Sequence, residues 1–270
     1  MQQEQLLFVP VAAVAPVPDV PVVAVPALNT MGGGIPSPCF KKINQTIVMS
    51  LYTFSHSDTL TPVKIPAGLK MEVSTDIRLL SILGNTTMEE VTKRLANDNL
   101  AFVAYINNQP AAFGWMARDN ARIGELNHEF ILPTGNRYLW NFRTMEAYRG
   151  LGIYPALLQY ILQQGDDEAN RFWIIHAPEN NASLKGIQKA GFEYIGKLYL
   201  DEGNNATIEY NETALNFQEE LEYMDIKMSA QTASSCWNCS SPYLKKRRPE
   251  CCCSTAGEEC IGNSMFSMAS

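Results

Sequence analysis

The sequence predicts a mixed α/β (α+β) domain with a tail at each end. Three observations carry that expectation. Residues 137–144, Arg-Tyr-Leu-Trp-Asn-Phe-Arg-Thr, alternate like a strand; residues 156–164, Ala-Leu-Leu-Gln-Tyr-Ile-Leu-Gln-Gln, repeat their apolar side chains at helical spacing, and a turn with two glycines joins the two. A second strand-like run, Arg171-Phe-Trp-Ile-Ile-His-Ala177, is followed by a second helix-like segment over 180–191. Hydrophobic residues make up 46% of the 270-residue chain and charged residues 18%, the composition of a packed core rather than of a disordered chain.

In chain order, residues 1–40 form a Pro/Val-rich arm of linker character. Five prolines between Pro10 and Pro26, with Asp19, argue against a membrane-inserted helix, because each proline removes a hydrogen bond that the bilayer cannot replace. No Lys or Arg precedes the run, so the basic start of a signal peptide is missing, and a cytoplasmic setting is expected. Val-Pro alternation favours extended polyproline II. The lead-in, 41–69, has strand character over 43–55, expected at a sheet edge or as part of the arm. Residues 70–74 are expected to be the first core strand. Two helices follow at 76–83 and 86–97, the second with Thr87 and Glu90 at capping-box spacing. Residues 99–106 and 110–117 read as a hairpin around Asn107-Asn108-Gln109, and 123–132 as one further strand. Residues 201–228 extend the domain, and 229–270 form a cysteine-rich tail.

The turn between strand and helix is Ala147-Tyr148-Arg149-Gly150-Leu151-Gly152-Ile153-Tyr154-Pro155. Pro155 suits a first helical turn, where its missing N–H has no partner to lose. Gly150 and Gly152 admit close approach to the backbone, and free N–H groups with the helix dipole attract an anion. Arg149 adds a fixed positive charge. The expected ligand is a phosphate, most naturally a pyrophosphate. The P-loop pattern fails because no Lys-Ser/Thr follows, and the dinucleotide fingerprint fails because position 155 is proline. An ordinary glycine-containing αβ turn stays open as the alternative. Further on, Asn180 is a good helix N-cap, Gly191 fits the left-handed position after that helix, and Lys189 lies near the negative end of its dipole. Together the Arg149-Gly-x-Gly152 turn and the Asn180-x-x-Ser183 helix closing in Gly191-Phe192 resemble, in order and spacing, the GNAT acyltransferase superfamily over residues 70–200.

The resemblance implies a GNAT-like mixed, mostly antiparallel central sheet flanked by helices, with splayed strands at the acyl-CoA site. It implies acetyl-CoA or a longer acyl-CoA as co-substrate. The pyrophosphate would lie on Arg149, Gly150, Leu151, Gly152, Ile153 and Tyr154, and pantetheine would pair like a strand with the backbone of Phe142, Arg143, Thr144 and Met145. Asn180 and Ser183 complete the donor-binding set. The implied reaction is direct attack of an amine, on a small molecule or a peptide, upon the thioester. Positioning supplies much of the acceleration, a backbone N–H serves the oxyanion, and a base takes the ammonium proton. On a strand over 123–132, Glu125, Asn127 and Glu129 share one face, and Leu126, His128 and Phe130 the other. Glu129 is the first candidate for the base and Glu125 reads as a solvated carboxylate. His128 is the second catalytic candidate, although a ring on an apolar face more commonly serves the core.

The chain departs from the family pattern in three places. Ala147 stands where many members carry Gln or Arg. Ile187 stands where many place a tyrosine, four residues before the Gly-Phe pair, as acid for the leaving thiolate; Tyr194 and Tyr199 lie nearby in sequence. Tyr154 replaces a small residue. These differences keep a rival class open: a catalytically silent module that binds acyl-CoA or a partner through its tail. A net charge of −7 carries no general nucleic-acid footprint, and the one basic run, Lys245-Lys-Arg-Arg248, is local. Six of the seven cysteines, Cys236, Cys239, Cys251, Cys252, Cys253 and Cys260, lie in the tail. Zinc ligation, an acylated membrane contact and a flexible thiol-bearing tail compete there; the last is preferred and no metal is expected. The implied partners are acyl-CoA and an amine acceptor, with no nucleic acid and no transmembrane segment, and a homodimer is left open.

Overall fold

The computed structural model describes residues 48–164, 168–177 and 180–230. Along the chain these form β1 (Val48–Ser55), β2 (Leu69–Ser74), α1 (Ile77–Gly84), α2 (Met88–Ala96), β3 (Leu100–Ile106), β4 (Gln109–Ala117), β5 (Asn120–Ile123), β6 (His128–Ile131) and β7 (Asn136–Thr144). Then come α3 (Ile153–Gln164), β8 (Arg171–His176), α4 (Asn181–Lys189), β9 (Glu193–Leu200), β10 (Ala206–Glu209), α5 (Glu212–Leu215), α6 (Gln218–Tyr223) and β11 (Lys227–Ser229). One sheet takes nine of the strands in the order β11-β10-β9-β1-β8-β7-β4-β3-β2. Neighbours run antiparallel except β7–β8 and β10–β11. The mixed, mostly antiparallel sheet flanked by helices is therefore present as expected.

Side chains that alternate along a strand serve two different layers. On β8, Phe172 and Ile174 join Leu157, Ile161, Ile187 and Phe192 beneath α3 and α4, whereas Trp173 joins Ile195, Ile208 and Leu221 on the other face. A third cluster, with Leu80, Val91, Phe113 and Trp115, seats α1 and α2. The helix starts follow from their caps: Asp76 accepts from Leu79 N at 2.9 Å, Thr87 from Glu90 N at 3.1 Å, and Asn180 from Ser183 N at 3.1 Å. The Thr87–Glu90 capping box is only half used, since Glu90 turns its carboxylate to Arg94 Nε at 2.9 Å. The hairpin between β3 and β4 turns on Asn107 and Asn108, with φ of 49° and 64°, the left-handed pair that a two-residue turn demands.

Two sequence expectations are corrected. The strand in 43–55 is neither an edge nor part of an arm: β1 lies inside the sheet, antiparallel to both β8 and β9. Its run Val-Met-Ser-Leu-Tyr-Thr-Phe is buried residue after residue, the pattern of an interior strand covered on both faces. The single strand over 123–132 is a hairpin, in which β5 and β6 pair Arg122 with Glu129 and Ile123 with His128. A single helical turn, Gly124–Leu126, and a left-handed Asn127 (φ 48°) reverse the chain. Glycine and asparagine accept such a reversal at low cost, and alternation cannot run through it. The Pro/Val arm, the basic run and the six tail cysteines lie outside the described residues. Among those described, no helix is long and apolar enough to cross a membrane.

Candidate active site

β7 and β8 pair only from Asn136–Arg171 to Leu139–Ile174, although β7 continues to Thr144 and β8 to His176. Beyond that point the two parallel strands part. The cause is local. Asn141 adopts φ +51°, and the β4–β7 register slips between Phe113 and Trp115, so that Gly114 stands opposite two residues of β7. Such a bulge bends its strand and increases its twist. Gly114 is needed there, because a Cβ would run into the Phe142 ring.

At the end of β7 the chain makes one short helical turn, Glu146–Tyr148, before entering α3. Gly150 and Gly152 both take positive φ, 80° and 81°. A Cβ at Gly150 would meet nothing within 4 Å, and one at Gly152 only the Lys64 carbonyl at 4.0 Å, so the turn faces open space. Among the described residues the N–H groups of Gly150, Leu151, Gly152 and Ile153 have no backbone partner. Arg149 is tethered by Nε to the Thr144 carbonyl at 3.3 Å, which sets its guanidinium beside the turn. This is the geometry of an anion site at a helix N-terminus. The neighbouring Met145 fits its expected role poorly. Its N–H already binds the Ala111 carbonyl at 2.8 Å and its own carbonyl accepts from Tyr148 N, so it has little backbone to offer a ligand.

The gap between β7 and β8 opens into a cleft of about 1390 Å³. Phe142, Ile174, Ile175, His176, Tyr154, Asn180 and Ser183 are among its lining residues, together with residues of α2, the β5–β6 hairpin and Trp140. Tyr154 leans on Phe142, with ring centroids 5.5 Å apart, and its hydroxyl lies 3.4 Å from Ser183 Oγ. Burial raises the Tyr154 phenol well above its ordinary range, and the Ser183 contact offsets part of that rise. His176 donates from Nε2 to the Asn180 carbonyl at 3.1 Å, tying the end of β8 to the start of α4.

The catalytic candidates separate. Glu129 and Glu125 both line the cleft, although not by alternation along one strand: Glu125 sits on the turn and Glu129 on β6. Glu129 is exposed and pairs loosely with Arg122 at 3.6 Å. His128 does not line the cleft. Its Nε2 donates to the Met224 carbonyl at 2.9 Å, and its ring stacks on Phe130 at 5.4 Å, so it fastens the hairpin to the end of α6. These contacts are packing contacts, as expected of a ring on an apolar face. Arg94 and Trp140, which also line the cleft, escaped the sequence reading. The Arg94 guanidinium lies 4.6 Å from the Trp140 ring and 5.4 Å from Trp115, a cation–π stack anchored by Glu90. The one sequence signal for it was Glu90 and Arg94 four residues apart.

Residues 78–192, which span the glycine turn, α3, α4 and the parted strands, match the acetyltransferase (GNAT) family. These residues form a GNAT acetyltransferase domain. The solved structures to which the chain is similar include a GCN5-related N-acetyltransferase from Kribbella flavida, 15% identical with a TM-score of 0.38, over 56% of this chain and 57% of that one. A GNAT-family acetyltransferase from Novosphingobium aromaticivorans is 13% identical with a TM-score of 0.41, over 56% of this chain and 61% of that one. The ribosomal L7/L12 alpha-N-protein acetyltransferase RimL, solved with coenzyme A, is 17% identical with a TM-score of 0.35, over 49% and 83%. The chain spans about three fifths of the length of the first two. No curated protein matches it.

Proposed function

We propose that this protein transfers an acyl group, acetyl or longer, from acyl-coenzyme A to an amine by direct attack. The observation that carries this reading is the continuity of the cleft, which runs from the parted edges of β7 and β8 to the carboxylates of the β5–β6 hairpin. A donor laid along Phe142, Arg143 and Thr144 would pair with the edge of β7 that β8 leaves after Leu139, β4 holding the other edge, while Arg149 and the backbone of the turn from Gly150 to Tyr154 would hold its pyrophosphate. Asn180 and Ser183 would close the wall on the α4 side. The thioester would then face an acceptor entering between α2 and the hairpin, with Glu129 or Glu125 in range to take the ammonium proton. A small-molecule amine and a peptide amine both suit an opening of this size.

A second reading follows from Ile187, which is wholly buried in the core and brings no hydroxyl to the cleft. On that reading the domain binds acyl-CoA and catalyses nothing. Detection of free thiol across acyl chain lengths and amine acceptors separates the two. Turnover with at least one amine is expected. Tight donor binding without thiol release from any pairing would establish the silent module instead.

A further inference from the structure

When an amine displaces the thiolate of an acyl-CoA, the departing sulfur gains charge, and an O–H held beside it assists by general acid catalysis. Ile187 supplies no such group, and Tyr194 and Tyr199, the tyrosines nearest in sequence, do not line the cleft. Tyr194 stands against Tyr52, with ring centroids 5.4 Å apart, and Tyr199 is buried in β9. Tyr154 does line it. Its ring spans the distance from β7 to α4, touching Phe142 on one side and lying so close to Gly186 on the other that a Cβ there would collide with it. The hydroxyl ends beside Ser183, which lines the cleft together with Phe142, Ile175 and His176.

We propose that Tyr154 is the proton donor to the leaving thiolate, a phenol delivered from α3 across the gap to α4. The inference rests on the acyl-transfer reading of the cleft. In the step, the amine nitrogen forms its bond to the carbonyl carbon and the C–S bond breaks. The electron pair of that bond leaves on sulfur, which takes the Tyr154 proton, while the proton lost by the amine passes to the carboxylate base. The tyrosinate regains a proton from solvent by way of the Ser183 hydroxyl. A tyrosine phenol is protonated at neutral pH without any shift, and the burial that pushes this one further up makes it a weaker acid, so its proton moves to sulfur as the C–S bond breaks and charge builds there. Gly186 belongs to the same device, since it leaves the room the ring needs.

Tyr154→Phe keeps the ring and removes only the O–H. The expected result is a fall in kcat of about 10²-fold, with KM and the calorimetric affinity for acetyl-CoA nearly unchanged. Ser183→Ala should lower kcat less, because water can replace the relay. An unaltered kcat in Tyr154→Phe would overturn the inference. So would a loss confined to KM and donor affinity, which would assign the phenol to binding alone. A wild-type chain that binds no donor, or that releases no thiol to any amine, overturns the acyl-transfer reading itself, and that failure is visible without any variant.

Discussion

Gly152 carries a φ of +81° beside open space, and Arg149 is steadied by the Thr144 carbonyl. Gly152→Val forces a β-branched residue into a left-handed conformation where the phosphates would approach, and Arg149→Glu reverses the local charge. Each should weaken coenzyme A binding by about 1–3 kcal/mol, the worth of charge-assisted hydrogen bonds. Calorimetry finding unchanged affinity in both folded variants would remove the pyrophosphate from this turn. The proton base is tested in the same spirit. A carboxylate base works only when ionised, so the wild-type rate should fall as the pH drops and protonates it. Replacing the true base by Gln should cost about 10²-fold in turnover and erase that acid limb, with donor binding intact. Glu129→Gln and Glu125→Gln decide between the two, and a variant with the wild-type rate at every pH is not the base. The sequence made the turn legible because glycine, arginine and helix start are contiguous. It brought Glu125 and Glu129 together for a wrong reason, because alternation was carried through Gly124 and Asn127, where the chain reverses.

Helix starts and tight turns at the level of elements follow from side chains a few residues apart, and there the sequence reads well: Asp76, Thr87 and Asn180 all cap as their types suggest. The parting of β7 from β8 is different. It depends on a left-handed Asn141 opposite Gly114 on another strand, a pairing that no local pattern announces. The approach of α3 to α4 is equally nonlocal, for Tyr154 needs Gly186 to have no side chain. Gly186→Ala should therefore destabilise the fold by about 1–3 kcal/mol through overpacking, even though alanine is the better helix former. In a Tyr154→Ala background the same change should become neutral or mildly stabilising. Denaturant unfolding of the four proteins in the cycle measures the coupling. Additive effects would mean that the ring and the helix are not in register as described.

The sheet as a whole is built around a strand that arrives before the matched family domain begins. β1 pairs with β8 from Ser50–His176 to Ser55–Arg171, and so holds one lip of the cleft from behind. Its sequence advertised a strand, but its partners lie far along the chain, and local propensity cannot choose between an edge and the middle of a sheet. The consequence is energetic. Val48, Met49, Leu51, Tyr52 and Phe54 are each no more than 5% exposed. Burial of one such side chain contributes about 1.5–3 kcal/mol, so five together reach the roughly 5–15 kcal/mol that holds an average domain folded. A chain beginning at residue 57, which retains all of the matched family region, should consequently lose cooperative unfolding and donor binding together. A chain beginning at residue 41 should keep both. Adding a peptide of residues 45–56 to the shorter chain should restore part of the thermal transition, because the slot between β8 and β9 would offer two ladders of backbone groups to the returning strand. If the shorter chain instead melts as the longer one does and binds coenzyme A equally well, β1 is an accessory to the sheet, and the lip formed by β8 is held by β7 and the helices alone.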